Sequence, residues 1–221
     1  MFDKKRGIYA EYPEHIKWIF GYAIPLFESW GYKVKVVTSE KDYQYWFYHI
    51  IKESAVPERI GKYAGFVLGG MCCMNREKTR PIEKFVKSLG CKINEYIGIA
   101  IDEPERLMRM HEKPGKISLL EIMGYKEADC ALKCKEYGLL SPSYKIFERG
   151  GCWFCPNQKI EGFAYLKRTY PELWRELELM AETDNKVSEN FRYSQSFWEV
   201  NAEVERYLKG GTNENTTNQD N

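Results

Sequence analysis

The sequence has almost no net charge, few histidines and no long apolar run. Lys and Arg total 33 and Asp and Glu total 32, a formal net charge of +1 at pH 7 over 221 residues. No global basic excess exists to hold a nucleic-acid backbone, so such a contact needs a local patch. The longest greasy stretch near the N-terminus, Trp18 to Phe27, is interrupted by Pro25 and is about half a membrane span, so no membrane partner is expected. Met1-Phe2-Asp3-Lys4-Lys5-Arg6 lacks the apolar core and the small-residue cleavage site of a secretory signal, which predicts a cytoplasmic protein. The three histidines, His15, His49 and His111, are isolated. No Ser-His-Asp ordering or nucleophile elbow is present. What is abundant is aromatic residues, at 15%, and cysteine, at seven. In a cytoplasmic chain that cysteine content reads as metal or redox chemistry before disulfides.

The patterning predicts an α/β protein, a mostly parallel sheet flanked by helices, followed by a small helical Cys-rich module. Pro13 suits the first turn of a helix and Gly31 the position past its end, with an apolar stripe from Ile16 to Trp30 facing the core and Pro25 as a kink. Tyr32–Thr38, Gly65–Gly69 and Glu95–Ile101 read as strands. Helices are expected from Asp42 to about Ser54, from Pro81 to Gly90 and from Pro104. Alternation of this kind implies parallel strands with a site beyond their carboxyl ends, where Gly69-Gly70 and Asp102-Glu103 fall. The expected units are an α/β core over 1–117, a helical module over 118–209 and a polar, disordered tail over 210–221. In the module, helices are expected over Lys126–Tyr137, Ile160–Thr169, Pro171–Glu182 and Ser196–Leu208.

Cys152-Trp153-Phe154-Cys155, between Gly150-Gly151 and Pro156, has the spacing of a metal knuckle. Two thiolates are half a site. Cys130 and Cys134 share a helix face, and Cys72 and Cys73 follow the Gly69-Gly70 turn. The simplest set of four is Cys73, Cys134, Cys152 and Cys155, which suits zinc or a [4Fe–4S] cluster equally. A redox CxxC, and for Cys72, Cys91 and Cys130 burial as small apolar side chains, are the competing readings. Arg76, Lys78 and Arg80 form a basic group after the glycine turn, and Arg106 follows Asp102-Glu103. A guanidinium there suits a phosphate or sulfate, and the bland alternative is a solvated helix face. The aromatic run Tyr43, Tyr45, Trp46, Phe47 and Tyr48 is too dense for one buried face, so some rings should be exposed, for a base, a partner or no ligand at all.

Three motifs occur in order: Cys73-Met74-Asn75-Arg76-Glu77-Lys78, Gly98 to Arg106, and Arg149-Gly150-Gly151-Cys152-Trp153-Phe154-Cys155-Pro156. Together, with Glu11-Tyr12-Pro13-Glu14-His15, they resemble the phosphoadenosine phosphosulfate (PAPS) reductase-like branch of the adenine nucleotide α-hydrolase superfamily, nearest its phage, mobile-element and DNA-phosphorothioation-related members. The resemblance spans roughly residues 2 to 180. It implies that Lys78, Asp102, Glu103 and Arg106, with Arg76 nearby, line a nucleotide or substrate cleft. Two adjacent carboxylates at Asp102 and Glu103 suit Mg²⁺ with an adenine nucleotide, and acidic residues there equally suit a helix cap.

Two departures stand out. The family's Ser-Gly-Gly-x-Asp-Ser phosphate loop does not occur, and neither does the C-terminal Glu-Cys-Gly-Leu-His of the reductases. The expectation is that the first strand and its loop are missing, through truncation, a partner subunit or lost activity. An open sheet edge would then favour association with a partner or a second copy. The reading is a PAPS reductase-family protein handling a nucleotide-linked sulfate, sulfur or adenylyl substrate around a Cys₄ metal centre, without ATP pyrophosphatase activity. The alternative is a non-catalytic, metal-stabilised binding or regulatory module of a phage or mobile-element system that contacts protein or nucleic acid.

Overall fold

In a computed structural model, residues 1–66, 73, 75–147 and 150–210 are described. The element order begins with α1 (Pro13–Trp18), a π turn (Ile19–Ala23), α2 (Ile24–Ser29), α3 (Tyr43–Phe47) and, after a second π turn (Asn75–Thr79), α4 (Arg80–Ser88). Then come β1 (Glu95–Tyr96), α5 (Pro104–His111), β2 (Lys116–Ile117), α6 (Leu119–Ile122) and α7 (Glu127–Glu136). The chain closes with α8 (Ile160–Thr169), α9 (Pro171–Glu182), β3 (Asn190–Arg192), β4 (Gln195–Ser196) and α10 (Phe197–Leu208).

About half the chain is helical, and the broad parallel sheet expected from the sequence is not what the described residues form. β1 and β2 pair in parallel, Glu95 opposite Lys116 and Tyr96 opposite Ile117, with α5 as the crossover between them. β3 and β4 make a separate antiparallel pair. A mixed helix-and-strand chain with one parallel crossover is therefore present, on a much smaller scale. Tyr32–Thr38 carries the expected valines but no ladder among the described residues, and Val34 and Val36 are exposed. β-branched residues favour extended backbone, yet a strand exists only where a neighbour supplies N–H and C=O groups. Of Gly65–Gly69, residues 67–69 lie outside the described residues, and Phe66 is core. Glu95–Ile101 contracts to two paired residues.

The helix expected to run to Ser54 stops at Phe47. Asp42 caps its start, accepting from the Tyr45 N–H at 2.8 Å. Beyond Tyr48 the backbone pairs with residues 62–65 instead: Ile51 N–H to the Lys62 carbonyl, Ala64 N–H to His49 and Gly65 N–H to Phe47. Those bonds pre-empt the next helical turn. The helix over 13–29 is interrupted by a π turn directly before the segment that Pro25 opens. Proline removes one helical N–H, and a widened turn absorbs the mismatch. The apolar stripe of this helix is only partly covered. Ala23 is buried, while Phe20, Phe27 and Trp30 are exposed.

The C-terminal helices match their patterns closely. α8 and α9 start and end as read from the sequence, with Pro171 opening α9. Ser196 caps α10 in a reciprocal box with Glu199. The main core gathers Leu166, Trp174, Leu177, Met180, Phe197, Val200 and Val204 from these helices, with Trp153 and Phe154. Phe2, Tyr12, Tyr43 and Phe47 of the N-terminal segments join the same cluster. A small separate cluster, Ile99, Leu107 and Met110, sits under the parallel crossover. Among the described residues no helix is long and apolar enough to cross a membrane.

Candidate functional site: the cysteine turn and its neighbours

The Cys152–Cys155 turn is anchored from inside. Trp153 is fully buried, and its indole Nε1 donates to the Tyr9 carbonyl at 2.8 Å. Its backbone N–H donates to the Ala10 carbonyl at 3.0 Å, and Cys152 bridges antiparallel to Glu11. Phe154 packs on Tyr43 with ring centroids 4.2 Å apart, and Trp153 lies 4.5 Å from Phe2. Two large aromatics between the cysteines thus fill the core and bind the N-terminal segment to the turn.

Gln158 locks the turn from the other side. Its Nε2 donates to the carbonyls of Cys152 and Trp153 at 2.9 and 2.8 Å, and its Oε1 accepts from the Tyr12 hydroxyl at 2.9 Å. Gly162 makes room for it, because a Cβ there would collide with Gln158 Oε1. Glu14 is held by the hydroxyls of Tyr165 (3.0 Å) and Tyr170 (2.5 Å), which ties α1 to α8 and to the start of α9. Tyr165 and Tyr170 therefore fasten the helices to the region of the turn. Gln158 and Gly162 carried no motif that separated them from ordinary surface or helix residues, and Glu11 was marked only as part of the Glu11–His15 segment.

The sulfurs of Cys152, Cys155 and Cys73 share one electrostatic neighbourhood with Glu11 and Lys78. Burial pushes the Cys152 thiol up to about 12. Glu11, Cys155 and Cys73 add to that push and Lys78 opposes it. Lys78 pairs with Glu11 at 3.2 Å. Partial burial works against the Lys78 charge, but Glu11, Cys152 and Cys73 together hold its pKa above the ordinary lysine value. At neutral pH the Cys152 sulfur is therefore a protonated thiol beside a charged pair.

Cys134 is in a different setting. It stands on α7 with Cys130, whose thiol is raised by burial, then by Cys134, Asp129 and Asp102. The described residues contain no group of three or more His, Cys, Asp or Glu side chains placed to hold a metal ion. Among the described residues, Cys73, Cys134, Cys152 and Cys155 are not placed together as such a group. No disulfide links the described cysteines.

The expected anion cleft is likewise dispersed. Asp102 accepts from the Glu127 N–H at 3.2 Å, which places it at the N-terminus of α7. Glu103 accepts from the Ala100 N–H at 3.3 Å and pairs with Arg106. Both carboxylates serve helix starts and turns, where acidic groups are favoured. Arg76 and Lys78 diverge because residues two apart on a helical turn do not face each other. Lys78 turns to Glu11, and Arg76 stacks over Trp46 with its guanidinium carbon 4.5 Å from the ring centroid. Gly69, Gly70, Cys72, Met74 and Arg149, which frame two of the sequence motifs, lie outside the described residues. No family model matches the chain, nor does any curated protein or solved structure.

Proposed function

We propose that this chain is a non-catalytic binding or regulatory module, of the kind its motifs associate with phage or mobile-element systems, in which the cysteine turn serves structure. The observation that carries the reading is the fate of the cleft residues. Asp102, Glu103 and Arg106 satisfy local helix ends and one another, while the turn between Cys152 and Cys155 places two buried aromatics in the main core. Groups engaged in this way serve separate helix ends and are not converged on one cleft, and a turn built around Trp153 is positioned to hold the N-terminal segment. Zinc, a [4Fe–4S] cluster, and Mg²⁺ with an adenine nucleotide are the cofactors that the motifs imply, and the reading does not depend on any of them.

A second reading keeps sulfur or nucleotide chemistry, and one observation favours it. Lys78 places a cation beside Cys73 and Cys152, where a sulfate or phosphate would be attracted. The two readings part in one assay. The purified chain is incubated separately with ATP and Mg²⁺ and with PAPS and a dithiol reductant. The binding-module reading expects neither pyrophosphate nor sulfite above a no-protein blank, and release of either one replaces it with the second.

A further inference from the structure

A basic groove separate from the cysteine turn has the composition of a single-strand binding surface. It runs between the extended segment 37–41 and the face of α4, with a volume of about 460 Å³. Trp46 forms part of its lining, together with Lys41, Arg76, Arg80 and Lys84. Arg76, Arg80 and Lys84 recur every four residues through the π turn and α4. That spacing puts them on one face, with successive cations about 6 Å apart along the axis at helical rise. Lys41 faces them from the opposite wall, 5.1 Å from the Trp46 centroid.

The acidic groups nearby do not cancel this row. Glu77 is turned inward, accepting from the Trp46 indole Nε1 at 2.7 Å. Glu40 pairs with Lys84, but both side chains are almost entirely in solvent, and an exposed pair of this kind holds weakly and is screened by salt. Asp42 is occupied in capping α3 and in accepting from the Lys4 N–H. Among the described residues Arg80 has no ion-pair partner. The guanidinium of Arg76 lies over the indole, and bases stack on guanidinium planes as they do on aromatic rings.

We propose that this groove binds single-stranded nucleic acid, the phosphates running along Arg76, Arg80 and Lys84 and a base stacking on the Trp46–Arg76 platform. The row of cations supplies attraction without sequence preference, and the platform separates single strands from duplexes, whose bases are already stacked. A near-neutral chain needs such a local patch to hold a polyanion. The proposal rests on the binding-module reading only in expecting a partner. Its failure leaves the turnover assay unaffected, and turnover of PAPS or ATP leaves the oligonucleotide result standing.

The test is fluorescence anisotropy of a labelled oligothymidylate titrated with the full chain at several salt concentrations. Binding is expected in about the micromolar range at low salt, weakening as salt rises. The double variant Arg80→Gln/Lys84→Gln, altered only at exposed positions, is expected to flatten the slope of log K against log salt by about 1.4, at about 0.7 for each phosphate that is no longer neutralised. Trp46→Ala is expected to weaken binding about tenfold or more, and Trp46→Phe to keep most of it. Circular dichroism confirms that each variant is folded, and the Phe variant and the charge variant carry the test if the Ala variant is not. Absence of binding by the wild-type chain, an unchanged salt slope in the double variant, or a blunt duplex or heparin binding as tightly as the single strand would each overturn the proposal.

Discussion

At the scale of single residues, Trp153 decides more than the cysteines on either side of it. Its ring is fully buried and its Nε1 has one partner, the Tyr9 carbonyl. Truncation leaves a cavity and an orphaned acceptor, so Trp153→Ala is expected to lower unfolding free energy by about 3–5 kcal/mol in urea melts. A loss under 1 kcal/mol, roughly the cost of a surface change, would remove the turn from the core. Cys152 is predicted to be slow toward alkylating agents. Only the thiolate reacts, and burial holds this thiol protonated up to about 12. Mass-spectrometric mapping of brief iodoacetamide labelling should find Cys91, which is exposed, modified well before Cys152. The same shift has a consequence for alkaline stability. The folded value lies above the ordinary 9.0, so above pH 9 the unfolded chain gives up this proton while the folded one keeps it. Stability from this group is complete below pH 9 and falls as pH rises toward 12. Cys152→Ala should flatten that part of the profile.

At the scale of elements, helix ends explain both the agreements and the differences. α10 begins at a reciprocal cap in which the Glu199 N–H donates to Ser196 Oγ at 3.3 Å and the Ser196 N–H to Glu199 Oε2 at 2.7 Å. Ser196→Ala is expected to cost about 1 kcal/mol, read as a lower midpoint of thermal unfolding. α10 packs on α8 and α9 and contributes Phe197, Val200 and Val204 to the core, so the loss should reach the whole cooperative unit and not only a fraying end. Asp102 illustrates the same physics from the other side. A carboxylate beyond a short strand reads as a metal ligand or as a cap for the helix that follows, yet it caps α7, twenty-five residues further on. The two roles use the same acceptor, and only the placement of a distant N–H distinguishes them.

At the scale of the whole molecule, the N-terminal segment is held to the helical half by charge as well as by aromatic packing. Arg6 makes a forked pair with Glu176 of α9 at 2.6 and 2.7 Å and reaches Asp3 at 2.5 Å. Burial opposes ionisation of Asp3, but the Arg6 side chain and backbone N–H outweigh it and hold the carboxyl below its ordinary value of 3.8. The stability this contributes is present above that ordinary value and is lost as pH falls through the lowered one. Urea midpoints should therefore drop on acidification below about pH 4, and Asp3→Asn should be less stable at neutral pH while losing part of that acid slope. An unchanged acid slope in the variant would show that titration of Asp3 does not set this part of the profile.

The sequence by itself determined the helices whose signals are local. Pro171, the Ser196–Glu199 box and the apolar period of α8 to α10 act within one or two turns, so those elements read true. It also marked the aromatic run from Tyr43 to Tyr48 as partly exposed. Only the tertiary structure decided what those features meet. Tyr32–Thr38 has the side chains of a strand, but pairing is a property of two segments, and no ladder partner lies among the described residues. Cys73 lies near Cys152 while Cys134 stands with Cys130, a choice that spacing along the chain does not contain. Arg76 and Lys78 are two residues apart and part company because a helical turn sends them to opposite faces. Periodicity and capping are read within a few residues, whereas ion pairs, ladders and convergent sulfurs depend on distances between segments a hundred residues apart.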